Sequence, residues 1–495
     1  MQRKSYILAL ISALLFSLSF PPLPFGFLAY FSLVFLFFAL EKSDDWNAFK
    51  LGYVWGLVTN SLLLFWIGYA APIAILGAVG AVLALSFYPA LLLLLYNHIQ
   101  KRLKFGAIFF IPFLWVGMEY VRSLGEIGFP WLNLAYTQTY YLELIQYASF
   151  TGVWGVTFWI VWLNVFVFLV IENFRNLKKV PVWISLFLGF LILPYIYGRI
   201  VIPDPGNGEG IKIALLQGNI PPDVKWHPDS LDHNFEVYDR MSREAASREV
   251  DLIVWPETAS PCYLTHEPLY FNWVQSLAES LNTHLLVGSN EYEILGHQKY
   301  VYYNSALFFR PGINFPEKYF KMQLVPFSER VPFRDRVHIM DKIELGTADF
   351  SPGREFVVFD HPKGRFATLI CFEIVFPNLV RQFVRRGAQF LVTITNDAWF
   401  GKTHGPFQHA RIAIFRAIEN RISIARCANT GISMFVDPYG RTSDSTPIFR
   451  RKNVAGEISL QNEKTFYTLN GDWFPLGCSL FSLGILGLSF FLRKP

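Results

Sequence analysis

The stretch "ATLICFEIVFP", residues 367–377, decides how the second half of the chain reads. A short apolar run leads to a thiol, Cys371. An acid, Glu373, follows two residues later, and "FPNLVRQFVRRGA" then continues with helical spacing. A buried strand turning into a helix is implied. Two readings of Cys371 stand side by side. A free cysteine is commonly a small buried hydrophobe. A sulfur at a helix start, by contrast, has a dipole and free N–H groups beside it, which favour thiolate and cradle an oxyanion. The four cysteines, Cys262, Cys371, Cys427 and Cys478, are too scattered for a disulfide framework or a CxxC metal site. A Cys262–Cys427 bridge is open, but no neighbouring residue argues for it.

Outward from Cys371 the same alternation repeats. "IKIALLQ", "DLIVWPE", "THLLVGSNEY", "VYYNSALFFRPG", "GRFATLI" and "QFLVTITND" read as strands. "LDHNFEVYDRMSREAASR", "EPLYFNWVQSLAESLN" and "GPFQHARIAIFRAIENRI" read as helices, and "SIARCANTGISMFVDPYG" as a β-hairpin. The pattern predicts an α/β domain whose sheets are covered by helices. Two more groups sit near strand ends. Glu257 closes "DLIVWPE", a place suited to a partly desolvated carboxylate whose pKa rises towards general-base range. The plainer reading is an exposed loop acid. Lys321 lies between "FPEKYF" and "MQLVPFSERVPF", either as a surface lysine or as a cation beside a thiolate or tetrahedral oxyanion.

The rest of the chain is greasy. Of 495 residues 53% are hydrophobic, with 49 Phe and 14 Trp, which points towards lipid. Apolar runs at about 6–20, 25–40, 51–70, 73–98, 105–121, 150–171, 181–200 and 475–492 predict eight membrane spans. A signal peptide is the alternative for the first, but no small-residue cleavage site follows it. Arg3/Lys4, Lys42/Lys50, Lys101/Arg102/Lys104, Arg175/Lys178/Lys179 and Arg493/Lys494 mark one face as cytoplasmic. The expected order is a seven-span membrane domain (1–202), an outward domain (203–474) and an eighth span with a cytoplasmic end (475–495). The net charge of +5 is not a nucleic-acid signal. Residues 1–202 and 475–495 carry 14 Lys/Arg against 7 Asp/Glu, leaving 29 against 31 for 203–474. Within the membrane half, Glu119 and Arg122 read as an ion pair at a helix end or as a polar floor. The aromatic loop 125–152 reads as lying along the membrane surface.

The order "WPE", "KxxLVPFxE", "ICFE" resembles the nitrilase (carbon–nitrogen hydrolase) superfamily, whose sites use Glu, Lys and Cys in that order. The eight-span frame, "LQGNIPPDVKW", "YYNSALFF", "LVPFSERVPF", "TNDAWFG", "RAIENRI", "ANTGIS" and "GFPWLNLAYTQ" narrow the likeness to bacterial apolipoprotein N-acyltransferases, along essentially the whole chain. That resemblance implies an αββα sandwich on the outward side of the inner membrane. It implies Glu257 as general base, Lys321 as oxyanion-supporting cation and Cys371 as nucleophile. Glu373 and Glu329 match supporting acids, and Trp226, Asn304 and Trp399 match neighbouring positions. Phe372 stands where many members have Tyr, so no hydroxyl bond comes from that side chain. The implied reaction moves an acyl chain from a phospholipid to the α-amine of a diacylglyceryl apolipoprotein through a cysteine thioester. The expected partners are the bilayer and those two lipids, with the chain a monomer.

A membrane-tethered amidase or nitrilase uses the same three groups and is the nearest alternative. A Cys–His mechanism through His404 or His409 is a second, although both read as capping or lining their helix. A transporter would carry charge within several spans, which these lack apart from Glu119. The ten His form no HxxxH pair or ligand cluster, and no glycine-rich phosphate loop appears, so neither metal nor nucleotide cofactor is expected. The stretch 324–350, long for a loop and mixing Phe and Val with charge, is expected to be a mobile lid.

Overall fold

The structure, a computed structural model, describes residues 2–41, 43–69, 74–103, 106–176, 178–204, 210–296, 299–334 and 349–491. They form two compact units, one drawn from 1–124, 128–204 and 470–495, the other from 125–127 and 205–469. Most of the expected lid, 335–348, lies outside the described residues.

In the first unit helix stands at all eight predicted places. Five segments, Asp45–Tyr69, Ala74–Leu103, Val153–Glu172, Val180–Val201 and Trp473–Phe491, are long and apolar enough to cross a bilayer. The others are shorter. Gln2–Leu18 has 17 residues, and 26–40 and 107–122 each begin as a 3₁₀ turn before the α-helix. Two expectations are corrected here. The middle of the loop 125–152 does not lie along a surface: the stretch 130–139 is wholly buried, folded in short 3₁₀ turns. Nor is Glu119 chiefly an ion-pair partner. It accepts from Leu134 N at 2.8 Å, Thr157 Oγ1 at 2.8 Å and Trp115 Nε1 at 3.2 Å, while Arg122 donates to Asn133 Oδ1 at 3.0 Å. An irregular backbone inside an apolar bundle needs such partners, because lipid offers none.

The second unit has two sheets. The strands, in chain order, are β1 (Gly210–Gln217), β2 (Leu252–Val254), β3 (Ser260–Tyr263), β4 (His284–Leu295), β5 (Lys299–Phe309), β6 (Glu317–Phe320), β7 (Phe366–Ile370), β8 (Phe390–Thr395), β9 (Ser423–Ala428), β10 (Met434–Val436), β11 (Thr442–Ser443) and β12 (Lys452–Ser459). One sheet runs β12-β1-β2-β4-β5-β6 with β3 beside β4, and the other β11-β10-β9-β8-β7. The central pairs β1–β2, β2–β4, β7–β8 and β8–β9 are parallel, and the predicted hairpin β9–β10 is antiparallel. β2, β7, β8 and β9 are fully buried, as the near-continuous apolar runs require of parallel strands covered on both faces.

The sheets pack on each other. Phe308 of β5 meets Phe366 of β7 edge-on at 5.1 Å, and Cys427 of β9 donates to Val254 O at 3.3 Å. Helices Leu231–Ala246 and Pro268–Leu281 share an apolar core with the first sheet, through Phe235, Tyr238, Trp255 and Leu277. Helices Pro377–Arg385 and Gly405–Asn420 cover the second. The result is the expected αββα sandwich. Sequence reading missed β3, β6, β11 and β12. The last has a polar pattern, "KNVAGEIS", and is held at the sheet edge by its register with β1, from Gly210↔Ser459 to Gln217↔Lys452.

Candidate active site

Three strands deliver the expected trio. Glu257 follows β2 through Trp255 and Pro256, Lys321 follows β6, and Cys371 follows β7. Both turns flanking the acid and the thiol are strained: Thr258 has φ +48° and Cys371 φ +53°. Non-glycine residues rarely adopt such a conformation unless their surroundings impose it. Gly288 on β4 shows how tightly the first turn is packed, since a Cβ there would lie 2.2 Å from Pro256 O and 2.8 Å from Glu257 Cα.

Lys321 is wholly buried, with its Nζ 2.8 Å from Glu329 Oε1 and 3.5 Å from Glu257 Oε1. Asn304 on β5 joins the two acids, its Nδ2 donating to Glu257 Oε1 at 2.8 Å and to Glu329 Oε1 at 3.1 Å. The remaining carboxylate oxygens accept backbone N–H groups, Asn396 N on Glu257 at 2.9 Å and Val325 N on Glu329 at 2.8 Å. Every oxygen of the two acids is thereby fixed in place.

Burial alone would lower the pKa of Lys321, but Glu329, Glu257 and Cys371 outweigh it and hold the ammonium well above its ordinary value. Cys371 goes the other way from expectation. Burial pushes its thiol pKa well up and Glu257 adds to this, with Lys321 and the Thr395 hydroxyl offsetting only part. Burial and the Glu257 carboxylate thus both work against the charged form of the sulfur. The α-helix expected to begin beside the sulfur begins later. Cys371 opens a single 3₁₀ turn, Cys371–Val375, and the α-helix begins only at Pro377. A thiol beside a fixed carboxylate and a buried cation can perform base-assisted nucleophilic attack.

Glu373 stands behind the trio as a staple. It accepts from Ile370 N, Tyr319 Oη and Met322 N at 2.7 Å each and from Gln323 N at 3.2 Å, tying the turn after β7 to the segment after Lys321. Burial raises its pKa against the pull of these bonds. Phe372 is buried and packs edge-on against Phe376 at 5.0 Å, so an apolar contact occupies the position of the missing tyrosine. Trp226 and Trp399 are 44% and 40% exposed.

The profile of the family described as Carbon-nitrogen hydrolase matches residues 212–464, and that of the Apolipoprotein N-acyltransferase N-terminal domain matches residues 12–166. An apolipoprotein N-acyltransferase of Geobacter metallireducens is 37% identical over 99% of this chain and 96% of its own length. The chain belongs to the apolipoprotein N-acyltransferase family. The Chlorobaculum tepidum apolipoprotein N-acyltransferase is 32% identical over 99% of this chain and 97% of its own. Among solved structures, a mutant of the Nesterenkonia AN1 amidase from the nitrilase superfamily matches 52% of this chain and 93% of its own, with 18% identity and a TM-score of 0.39.

In this apolipoprotein N-acyltransferase family member, several site residues escaped the sequence reading. Lys225 is buried, and its Nζ donates to Glu257 O at 3.1 Å and to Thr258 Oγ1 at 2.6 Å. Its only sequence signal was its place in "LQGNIPPDVKW". Asp397, from "TNDAWFG", and Arg426 are wholly buried and paired at 2.9 Å. His409 joins them, with Nδ1 2.8 Å from Asp397 Oδ1 and Nε2 3.1 Å from the carbonyl oxygen of Cys371. It lines its helix as expected and meets the backbone of Cys371. His404 occupies the N-cap position of that helix, yet its side chain makes no capping bond. All four cysteines are free. The conceivable Cys262–Cys427 bridge is absent, because Cys427 points into the sheet interface while Cys262 Sγ lies 3.2 Å from Ser260 Oγ.

Proposed function

We propose that the chain transfers a fatty acyl group from a membrane phospholipid to the free α-amine of an apolipoprotein's diacylglyceryl-cysteine, through a thioester on Cys371. The observation that carries this reading is Lys321, buried between Glu257 and Glu329 and close enough to the Cys371 thiol to be perturbed by it. In the first half-reaction Glu257 takes the Sγ proton as sulfur attacks the ester carbonyl. Lys321 and backbone N–H groups after Cys371 steady the oxyanion, a single preorganised donor contributing about 3–4 kcal/mol. The C–O bond breaks, the departing lysophospholipid oxygen takes the proton from Glu257, and the acyl group stays on sulfur. In the second half the amine nitrogen attacks the thioester carbonyl and gives a proton to Glu257. The C–S bond breaks, sulfur regains a proton, and the amide leaves. The balance closes without a cofactor.

Asn304 and Glu329 fix the positions of base and cation, Glu373 anchors both turns, buried Phe372 packs behind the thiol's turn, and the exposed Trp226 and Trp399 contact substrate. Both substrates are anchored in lipid, which suits a catalytic unit tied to apolar helices. Residues 1–202 act as a seven-span membrane domain, 203–474 as a periplasmic catalytic domain of the bacterial inner membrane, and 475–495 as the eighth span. The one-sided Lys/Arg distribution supports that orientation. The enzyme works as a monomer in the bilayer, with no nucleic-acid partner.

Intact-mass measurement after exposure to phospholipid tests the proposal. The expected result is an acyl increment on the peptide holding Cys371, stable in water and discharged by a diacylglyceryl-cysteine peptide. An unmodified thiol, or an adduct that water alone releases, overturns it.

A further inference from the structure

Glu257 has its carboxylate fixed by Asn304 and by Asn396 N, but its backbone passes into a residue, Thr258, whose φ of +48° is foreign to a β-branched side chain. Something must hold that turn, since strained conformations persist only where the surroundings over-determine them. The loop 218–226 supplies the grip. Asn429 pulls this loop in: Asn219 N donates to its carbonyl at 2.9 Å, Ile220 N to its Oδ1 at 3.0 Å, and its Nδ2 returns a bond to Ile220 O at 2.8 Å. The same Nδ2 donates to Asn396 Oδ1 at 3.1 Å, so one asparagine ties the loop to the residue whose N–H fixes the Glu257 carboxylate. Asn234 Nδ2 donates to Lys225 O at 3.1 Å and secures the far end. Lys225 then reaches in as a buried side chain and meets both halves of the strained turn, the Glu257 carbonyl and the Thr258 hydroxyl.

We propose that Lys225 is a positioning residue for the base: its amino group clamps the Glu257 carbonyl to the Thr258 hydroxyl and holds the strained turn that delivers the Glu257 carboxylate to Lys321. This rests on the reading of Glu257 as the base of acyl transfer. A buried lysine kept merely as filler would have no reason to take both acceptors from one strained turn. Burial pulls its pKa down to about 7 against the opposing pull of Glu257, so the group is held here despite the cost of desolvating a charge. Lys321 and Glu329 are the charged groups on the far side of that carboxylate.

The test measures the rate of Cys371 acylation by phospholipid vesicles in detergent-purified full-length protein. Wild type must first acylate; if it does not, the acyl-transfer reading fails, whatever the Lys225 variants do. Lys225→Met is expected to slow acylation about 100-fold, the size of effect a small misplacement of a catalytic group produces, with KM for phospholipid little changed. Glycine tolerates positive φ without a clamp. Thr258→Gly combined with Lys225→Met should therefore recover about tenfold of the loss, which a packing defect would not allow. A Lys225→Met rate within about threefold of wild type, or a double variant no faster than Lys225→Met, overturns the proposal. Where Lys225→Met does not fold, Thr258→Val decides: it removes the hydroxyl of the shorter bond and should slow acylation about fivefold, roughly the size of one buried hydrogen bond. An unchanged rate there overturns the clamp.

Discussion

The Nε2 atom of His409 lies 3.1 Å from the carbonyl oxygen of Cys371, and its other ring nitrogen lies 2.8 Å from Asp397. The histidine thus holds the backbone of Cys371 in its strained conformation, and in the proposed mechanism it is Glu257, not the ring, that takes the proton. His409→Leu should cost about 1–3 kcal/mol of stability, because Asp397 loses a buried partner. It should slow thioester formation roughly tenfold, the rate equivalent of about 1.4 kcal/mol. His409→Gln keeps a donor and should lose less. Loss in His409→Gln as complete as in Cys371→Ala would make the ring the base, and rates of acyl-enzyme formation by mass spectrometry separate the two.

The charges around Cys371 push its thiol in opposite directions, Glu257 upward and Lys321 downward, on top of a rise from burial. Alkylation reports thiolate directly. Iodoacetamide labelling of wild type should be slow at pH 7 and climb steadily as pH rises. Glu257→Gln removes the charge that opposes the thiolate, so it should label about tenfold faster while acyl transfer collapses; one pKa unit is one decade of thiolate. Lys321→Met should label more slowly than wild type. Equal labelling rates in all three would mean the thiol does not feel these groups.

Much of this site was legible because its chemistry sits at the ends of fully apolar strands. "DLIVWPE" and "ATLICFE" each announce a buried strand and then break it with an acid or thiol, and the structure brings Glu257 and Cys371 to one place from 114 residues apart. What could not be read is what holds them. Lys225 looks like any loop lysine until the chain folds back on Asn429, and Asp397 with Arg426 becomes an ion pair only through the β8–β9 pairing. The surroundings of the thiol were hidden for the same reason: a coming helix is visible in a sequence, whereas the 3₁₀ turn that precedes it and the depth of burial of Cys371 are not. In the first unit, the aromatic stretch 130–139 has the composition of an interfacial belt, and only the partners of Glu119 and Thr157 show why it goes inside.

Glu373 carries four hydrogen bonds that join the Cys371 turn to the segment after Lys321. Glu373→Gln must turn an NH₂ towards at least one of those donors and should cost about 2–3 kcal/mol, since a buried donor is left unmade. Tyr319→Phe removes one bond cleanly and should cost about 1 kcal/mol. The double variant should fall short of the sum, because a neutral amide oxygen accepts the Tyr319 hydroxyl more weakly than the carboxylate does and leaves less of that bond to lose. Thermal unfolding of the four proteins measures this. Strict additivity would mean that Tyr319 and Glu373 do not act through each other.

Glu119 does for the buried loop what Glu373 does for the site. It takes the backbone N–H of Leu134 and the hydroxyl of Thr157, whose Oγ1 in turn receives Ala135 N at 3.3 Å. Glu119→Leu would strand three donors, Leu134 N, Thr157 Oγ1 and Trp115 Nε1, where neither lipid nor packed helices can replace the acceptor, a loss of about 1–3 kcal/mol for each. The stretch 130–139 should then open, raising its amide exchange above wild type while the helix Val153–Glu172 stays protected. Glu119→Gln keeps one oxygen facing the loop and should sit between the two. Hydrogen exchange in detergent micelles, followed by mass spectrometry of the 130–139 peptides, reads the difference directly. Unchanged protection in Glu119→Leu would mean that the loop is held by its aromatic packing and not by this carboxylate.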